Sequence, residues 1–256
     1  MKVTFLGTGT SVGVPAVGCD CETCLSDDPR DKRLRTSVLV EHGGRNFIID
    51  ASTDFRQQAL RVGLRHLDAI LFTHAHADHC FGLDDTRPFM YRDGAMPCYA
   101  TEITWEGLRR VYWYAFAPSP YPGVPRIIPH RIEGDFSLFG LHIAPLTVIH
   151  GRLPVTAFRI NDFAYVTDCN FIPDETLERL AGLDLLVIDA LRLKEHPTHM
   201  HLEQSLHYID ILNPRRALLT HISHDIKHAE ISAQLPEGVE IAYDGLQVDL
   251  SDEDIS

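Results

Sequence analysis

Residues 68–79, DAILFTHAHADH, join a short apolar run to four metal-type ligands packed into six positions. A brief apolar run bounded in this way reads as a buried strand, so 68–73 is expected to deliver the chain directly onto His74. Alternation along extended backbone puts His74 and His76 on one side, and the following turn aims Asp78 and His79 at a neighbouring point. Imidazole and carboxylate together suit zinc, manganese or iron, whereas an all-oxygen set would suit magnesium or calcium. A polar loop of core histidines is the weaker reading of so dense a cluster.

Working outward, strand-like segments flank the cluster on both sides. Residues 2–6 read as a strand entering the glycine-rich turn Gly7–Gly13, whose G-x-G-x-x-x-G spacing misses the dinucleotide fingerprint by one residue and is followed by no helix. Segments 36–41 and 46–50 form a hairpin across His42–Arg45, 54–63 suits a helix, and a short helix is expected near 79–84. Further strands are expected at 97–101, 136–138, 141–149, 155–160, 163–167, 184–190 and 216–220, with helices at 173–182 and 202–212. Strands in groups with helices between some of them predict an α/β (α+β) protein built of two sheets with helices outside, as one domain over 1–256. The aromatic and proline-rich stretch 104–126 reads either as a helix plus loop on the core or as a lid or dimer contact.

Three later residues close apolar runs as His74 does: His150, Asp168 and His221. Each is weak alone, and together they would complete a two-metal site. The chain has 6 cysteines and 15 histidines. Cys19, Cys21 and Cys24 fall within six residues of a loop spanning 18–24, where a closed zinc site would need a fourth ligand. His224, three residues beyond His221, can supply it.

The ligand order H-x-H-x-D-H, then His, Asp and His, resembles the metallo-β-lactamase superfamily over essentially the whole chain. The resemblance implies an αββα sandwich of two mixed sheets. It also implies one metal on His74, His76 and His150, a second on Asp78, His79 and His221, and Asp168 bridging both. The N-terminal cysteines with the late Thr-His-Ile-Ser-His resemble the PhnP-type phosphodiesterases, which implies a structural zinc on Cys19, Cys21, Cys24 and His224. The expected cofactors are therefore two divalent metals (zinc or manganese, or iron) and one zinc. Hydrolysis of cyclic phosphodiesters such as phosphoribosyl 1,2-cyclic phosphate is implied, with Asp78 in the catalytic set. An alkoxide leaving group needs a general acid. His201, just before the 202–212 helix, best matches that position, with His199 close beside it.

Charge and composition narrow the partners. With 36 acidic against 23 basic side chains the formal charge is −13. That opposes a phosphate-backbone grip on nucleic acid, which depends on Lys and Arg. A ribonuclease Z-like nuclease is one alternative, but the sequence has no basic arm for tRNA. A protein like the related one of quinone-cofactor biosynthesis is the other. That protein departs at the catalytic ligands, all seven of which are present here. No window holds 18 consecutive apolar residues, and the start has no signal-peptide layout. The expectation is a cytoplasmic, homodimeric enzyme acting on a small phosphorylated substrate.

Overall fold

Runs of β-branched and aliphatic residues with no polar interruption, such as Leu-Leu-Val-Ile at 185–188, can only be satisfied between neighbouring strands with both faces covered. The computed structural model describes residues 1–118 and 121–250, and places fourteen strands and eight α-helices among them. The strands of the first half are β1 (Lys2–Gly7), β2 (Ser37–His42), β3 (Arg45–Ile49), β4 (Ala69–Leu71), β5 (Met96–Ala100), β6 (Ile127–Arg131) and β7 (Phe136–Leu138). Those of the second are β8 (Leu141–His150), β9 (Leu153–Ile160), β10 (Phe163–Val166), β11 (Leu185–Asp189), β12 (Arg216–Thr220), β13 (Val239–Ile241) and β14 (Gln247–Asp249). The helices are α1 (Glu22–Leu25), α2 (Phe55–Arg61), α3 (Ala77–Cys80), α4 (Arg87–Asp93), α5 (Glu102–Val111), α6 (Asp174–Arg179), α7 (Leu202–Leu212) and α8 (His228–Ser232).

The chain forms two compact units. One comprises Met1–Leu6, Thr36–Glu133 and Gln247–Ser256; the other comprises Gly7–Arg35 and Gly134–Leu246. The first holds a seven-stranded sheet in the order β14-β1-β2-β3-β4-β5-β6. β2 and β3 form the expected antiparallel hairpin, and β3 to β6 run parallel. Its core joins Ile48, Ile70 and Cys98 of the sheet to Phe55 of α2, Met90 of α4, and Trp105 and Leu108 of α5. The second unit holds the order β13-β12-β11-β10-β9-β8-β7, antiparallel from β7 to β10 and parallel from β10 to β13. Val166, Ile188 and Leu219 there pack with Ile209 of α7 and Ile231 of α8. Both sheets are mixed and flanked by helices, as expected. Burying each such side chain contributes about 1.5–3 kcal/mol.

Both the glycine-rich turn and the aromatic stretch take part in packing. Gly9 does not open a phosphate turn: a Cβ there would lie 2.9 Å from Arg33 Cβ and 3.0 Å from two backbone oxygens, and Gly9 bridges Arg35 and Ile222. In the stretch 104–126, Trp105 and Tyr112 are buried in the first unit's core, with Tyr114 and Phe116 packed against it, whereas Trp113 and Tyr121 are exposed. Pro120 of that stretch and residues 251–256 lie outside the described residues. No described helix is long and apolar enough to cross a membrane.

Candidate metal centre

In the first unit, β4 lies parallel between β3 and β5, and its end feeds the histidine cluster. His76 takes extended backbone as the N-cap of α3, so the chain turns there and Asp78 and His79 fall in the helix's single turn. Three imidazoles converge as a result. His74 Nε2 lies 2.9 Å from His76 Nδ1, and the rings of His74 and His79 are 4.2 Å apart. An Asp78 carboxylate oxygen stands 3.3 Å from His79 Nε2. A methyl at Gly107 would sit 2.4 Å from Ala75 Cβ, so α5 presses directly on this loop.

What orients these rings is Asp50, which ends β3 and which sequence reading overlooked. It is fully buried. Its Oδ1 accepts the Thr73 N–H at 2.8 Å, and its Oδ2 accepts the Thr73 hydroxyl at 2.8 Å and His79 Nδ1–H at 2.7 Å. The Thr73 hydroxyl, its proton spent on Asp50, accepts from His74 Nδ1–H at 2.9 Å. Both rings are thereby fixed as Nδ1–H tautomers with the Nε2 lone pair available, the arrangement a carboxylate imposes on metal-ligating histidines. Burial pushes the Asp50 carboxyl above its ordinary range, and the His79 imidazole pulls it back.

In the second unit, β10, β11 and β12 are parallel and in register, Val166 beside Ile188 beside Leu219. Their carboxyl ends therefore share one edge and bring Asp168, Asp189 and His221 together. Asp168 and His221 both adopt left-handed backbone, φ 53° and 60°, as does Asp50 at 64°. For residues other than glycine that costs about 1–3 kcal/mol each and clusters at functional sites. An Asp168 oxygen lies 3.4 Å from His221 Nε2. His150, the last residue of β8, donates from Nδ1 to Thr198 O at 2.7 Å.

The structure also draws in His199. Its Nδ1 donates to Asp189 Oδ2 at 2.8 Å, its ring stacks on His221 at 4.7 Å and 12°, and the His150 ring is 4.4 Å away. One donor atom each from His150, Asp168 and His199 lies within 4.8 Å of the others, and the same holds for Asp189, His199 and His221. His201, expected as the acid, stands at the N-cap position of α7, half-buried, with its backbone bridged to Arg192. Asp189, like Asp50, was missed, although both end an apolar strand just as Asp168 and His221 do.

The cysteine expectation has a direct geometric counterpart. Cys19, Cys21 and Cys24 place their sulfurs 3.2, 3.4 and 3.6 Å from His224 Nδ1. In a zinc tetrahedron with bonds of about 2.3 Å to sulfur and about 2.0 Å to nitrogen, S and N are separated by roughly 3.5 Å. The four residues fit that ion. The Cys24 N–H brings the Cys21 thiol down to about 7, while burial pushes Cys24 up to about 11. The other cysteines, Cys80, Cys98 and Cys169, are buried packing residues.

A family model described as a beta-lactamase superfamily domain matches residues 45–222. A solved diphosphatase from the PhnP family is 44% identical, with 98% of each chain covered and a TM-score of 0.91. Zinc-bound PqqB from Methylobacterium extorquens superposes at a TM-score of 0.79 with 22% identity, covering 98% of this chain and 100% of that one, a likeness of fold. An octanoyltransferase of Porphyromonas gingivalis is 40% identical over the full chain, and this chain spans 53% of that protein's length.

Proposed function

Since this chain belongs to the β-lactamase superfamily, and within it to the PhnP family, and is a hydrolase of the metallo-β-lactamase fold, we propose that it is a two-metal phosphodiesterase. Its substrates are small cyclic phosphodiesters such as phosphoribosyl 1,2-cyclic phosphate. The observation that carries this reading is the His150, Asp168 and His199 cluster, in which metal-type ligands stand beside an imidazole whose Nδ1 is held by a buried carboxylate. A proton donor next to ligands is what a reaction expelling a sugar alkoxide requires.

The ligand assignment implied by the resemblance is part of the proposal: His74, His76 and His150 for one metal, Asp78, His79 and His221 for the other, and Asp168 for both. Bound there, divalent ions would polarise water and the phosphoryl oxygens. Asp50 and Thr73 hold His79 and His74 in the ligating tautomer. The acid assignment passes from His201 to His199. As a water oxygen bonds to phosphorus, giving up a proton to solvent, and the ring P–O bond breaks, the departing sugar oxygen takes the proton on His199 Nε2. Asp189, accepting from His199 Nδ1–H, stabilises the imidazolium before that transfer.

Phosphorus NMR of a ribose cyclic phosphate with manganese-loaded protein tests this, with Asp78→Ala as control. Ring opening to a single monoester, absent in the control, is expected. No ring opening with both metals demonstrably bound would end the phosphodiester reading. An octanoyl thioester run in parallel would show whether the acyl chemistry in the name of the longer Porphyromonas gingivalis relative resides in this portion instead.

A further inference from the structure

His150 and His199 are held through one short loop. His150 donates from Nδ1 to Thr198 O at 2.7 Å, the carbonyl immediately before His199, and His199 donates from Nδ1 to Asp189 Oδ2 at 2.8 Å. Both rings are therefore Nδ1–H tautomers that present the Nε2 lone pair, and their centroids are 4.4 Å apart. Gly151 permits this close approach, since a Cβ there would lie 2.8 Å from Thr198 Cγ2, and its N–H is fixed on Asn170 Oδ1 at 2.7 Å. Asp189 is fully buried, and its Oδ2 also accepts the Cys169 N–H at 3.0 Å, so the support beneath His199 is itself anchored.

A carboxylate on Nδ1 readies an imidazole to bind a metal, and Asp50 does this for His79 in the first unit. His199 is supported in the same manner as that ligand, although its assigned task is proton transfer. One donor atom each of His150, Asp168 and His199 lies within 4.8 Å of the others. Nitrogen and oxygen atoms that share one zinc at about 2.0–2.2 Å stand roughly 3.4 Å apart, so the three need draw in by no more than about 1.5 Å to meet on one ion. His199 Nε2 has one use at a time, because the lone pair that holds a metal cannot carry a proton to a leaving oxygen.

We propose that His199 is also a metal ligand, its Nε2 joining the ion assigned to His150 and Asp168. A zinc ion closed in this way is inactive, whereas manganese leaves the histidine to act as the acid. Nitrogen ligands hold zinc more firmly than manganese, and a site filled wholly by protein groups keeps no position for substrate. The ligand assignment stands by itself; the inactivation rests on the phosphodiester reading above.

Cadmium-113, a spectroscopic stand-in for zinc, loaded into protein carrying nitrogen-15 histidine tests the ligand directly. Wild type should show cadmium–nitrogen splitting at Nε2 of both His150 and His199, the latter assigned by its absence from His199→Ala. Splitting at His150 without His199 overturns the proposal. Should His199→Ala fail to fold, wild type alone decides, by showing one split histidine nitrogen more than the other assigned ligands supply or by showing none beyond them. In chelator competition His199→Ala should bind zinc at least about tenfold more weakly, the loss that even a ligand's outer partner brings, and manganese far less so. Equal zinc affinity overturns the assignment. On a ribose cyclic phosphate, replacing manganese by zinc at full occupancy should lower wild-type kcat at least about a hundredfold, as loss of the proton donor does. Equal rates overturn the inactivation. Absence of ring opening with either metal would count against the phosphodiester reading instead, with the cadmium splitting still deciding His199.

Discussion

His199 and His201 differ by two positions in the chain and by everything else in their surroundings. His199 is held by a buried carboxylate among the rings of His150 and His221, and His201 stands at the N-cap position of a helix without a side-chain capping bond. His199→Ala should lower kcat by about 10²–10⁴-fold with metal content preserved, the range for losing a positioned proton donor. His201→Ala should cost far less, and the reverse order would restore His201 as the acid. Asp50→Asn removes the acceptor that sets the His79 tautomer. Competition with a chelator should show about 10–100-fold weaker binding of the catalytic metal. At this scale the sequence showed what was locally dense. Six positions holding His74, His76, Asp78 and His79 announce themselves, and so do three cysteines within six residues. Asp50 and Asp189 did not, because an aspartate ending a strand is commonplace and its role depends on partners 29 and 10 residues away.

Among elements, those with a sustained apolar run were legible, and short or edge elements were not. β11 and α7 stood where their apolar runs predicted. β6 was missed because it is an edge strand with Pro129 in its middle, where proline is tolerated and little apolar pattern survives. α4 and α8 were missed as well, α8 being one short turn. Two predictions belong here. Gly107→Ala would drive a methyl from α5 into Ala75, and overpacking of this kind costs about 1–3 kcal/mol. A lowered Tm together with reduced catalytic-metal content is expected, and normal metal binding would show the loop can yield. On α8, burial and then the Arg33 guanidinium push His228 down to about 4. A histidine with a depressed folded-state pKa takes up its proton on unfolding. Its contribution is thus complete above about 6.5 and lost as pH falls toward 4. His228→Gln should flatten that limb of a urea-midpoint profile against pH, and an unaltered limb would show that other groups set it.

For the molecule as a whole, metal analysis is expected to return three ions per chain, falling by one in Cys24→Ser. A Cys24→Ser protein with unchanged stoichiometry would show that these cysteines hold no zinc. The charge of −13 predicts that tRNA at micromolar concentration leaves diester hydrolysis unaffected at physiological salt. Inhibition would revive the nuclease alternative. One further property follows from the pairing of β1 with the edge strand β14. The register runs Lys2–Asp249, Val3–Val248 and Thr4–Gln247, and the Met1 amino group donates to Leu250 O. A pull applied between Met1 and Leu250 would therefore meet these pairs one after another, as an opening zip, rather than all at once in shear. Tethered by those two points in an optical trap, the molecule should yield first at this edge and at low force, with the parallel ladders rupturing only afterwards.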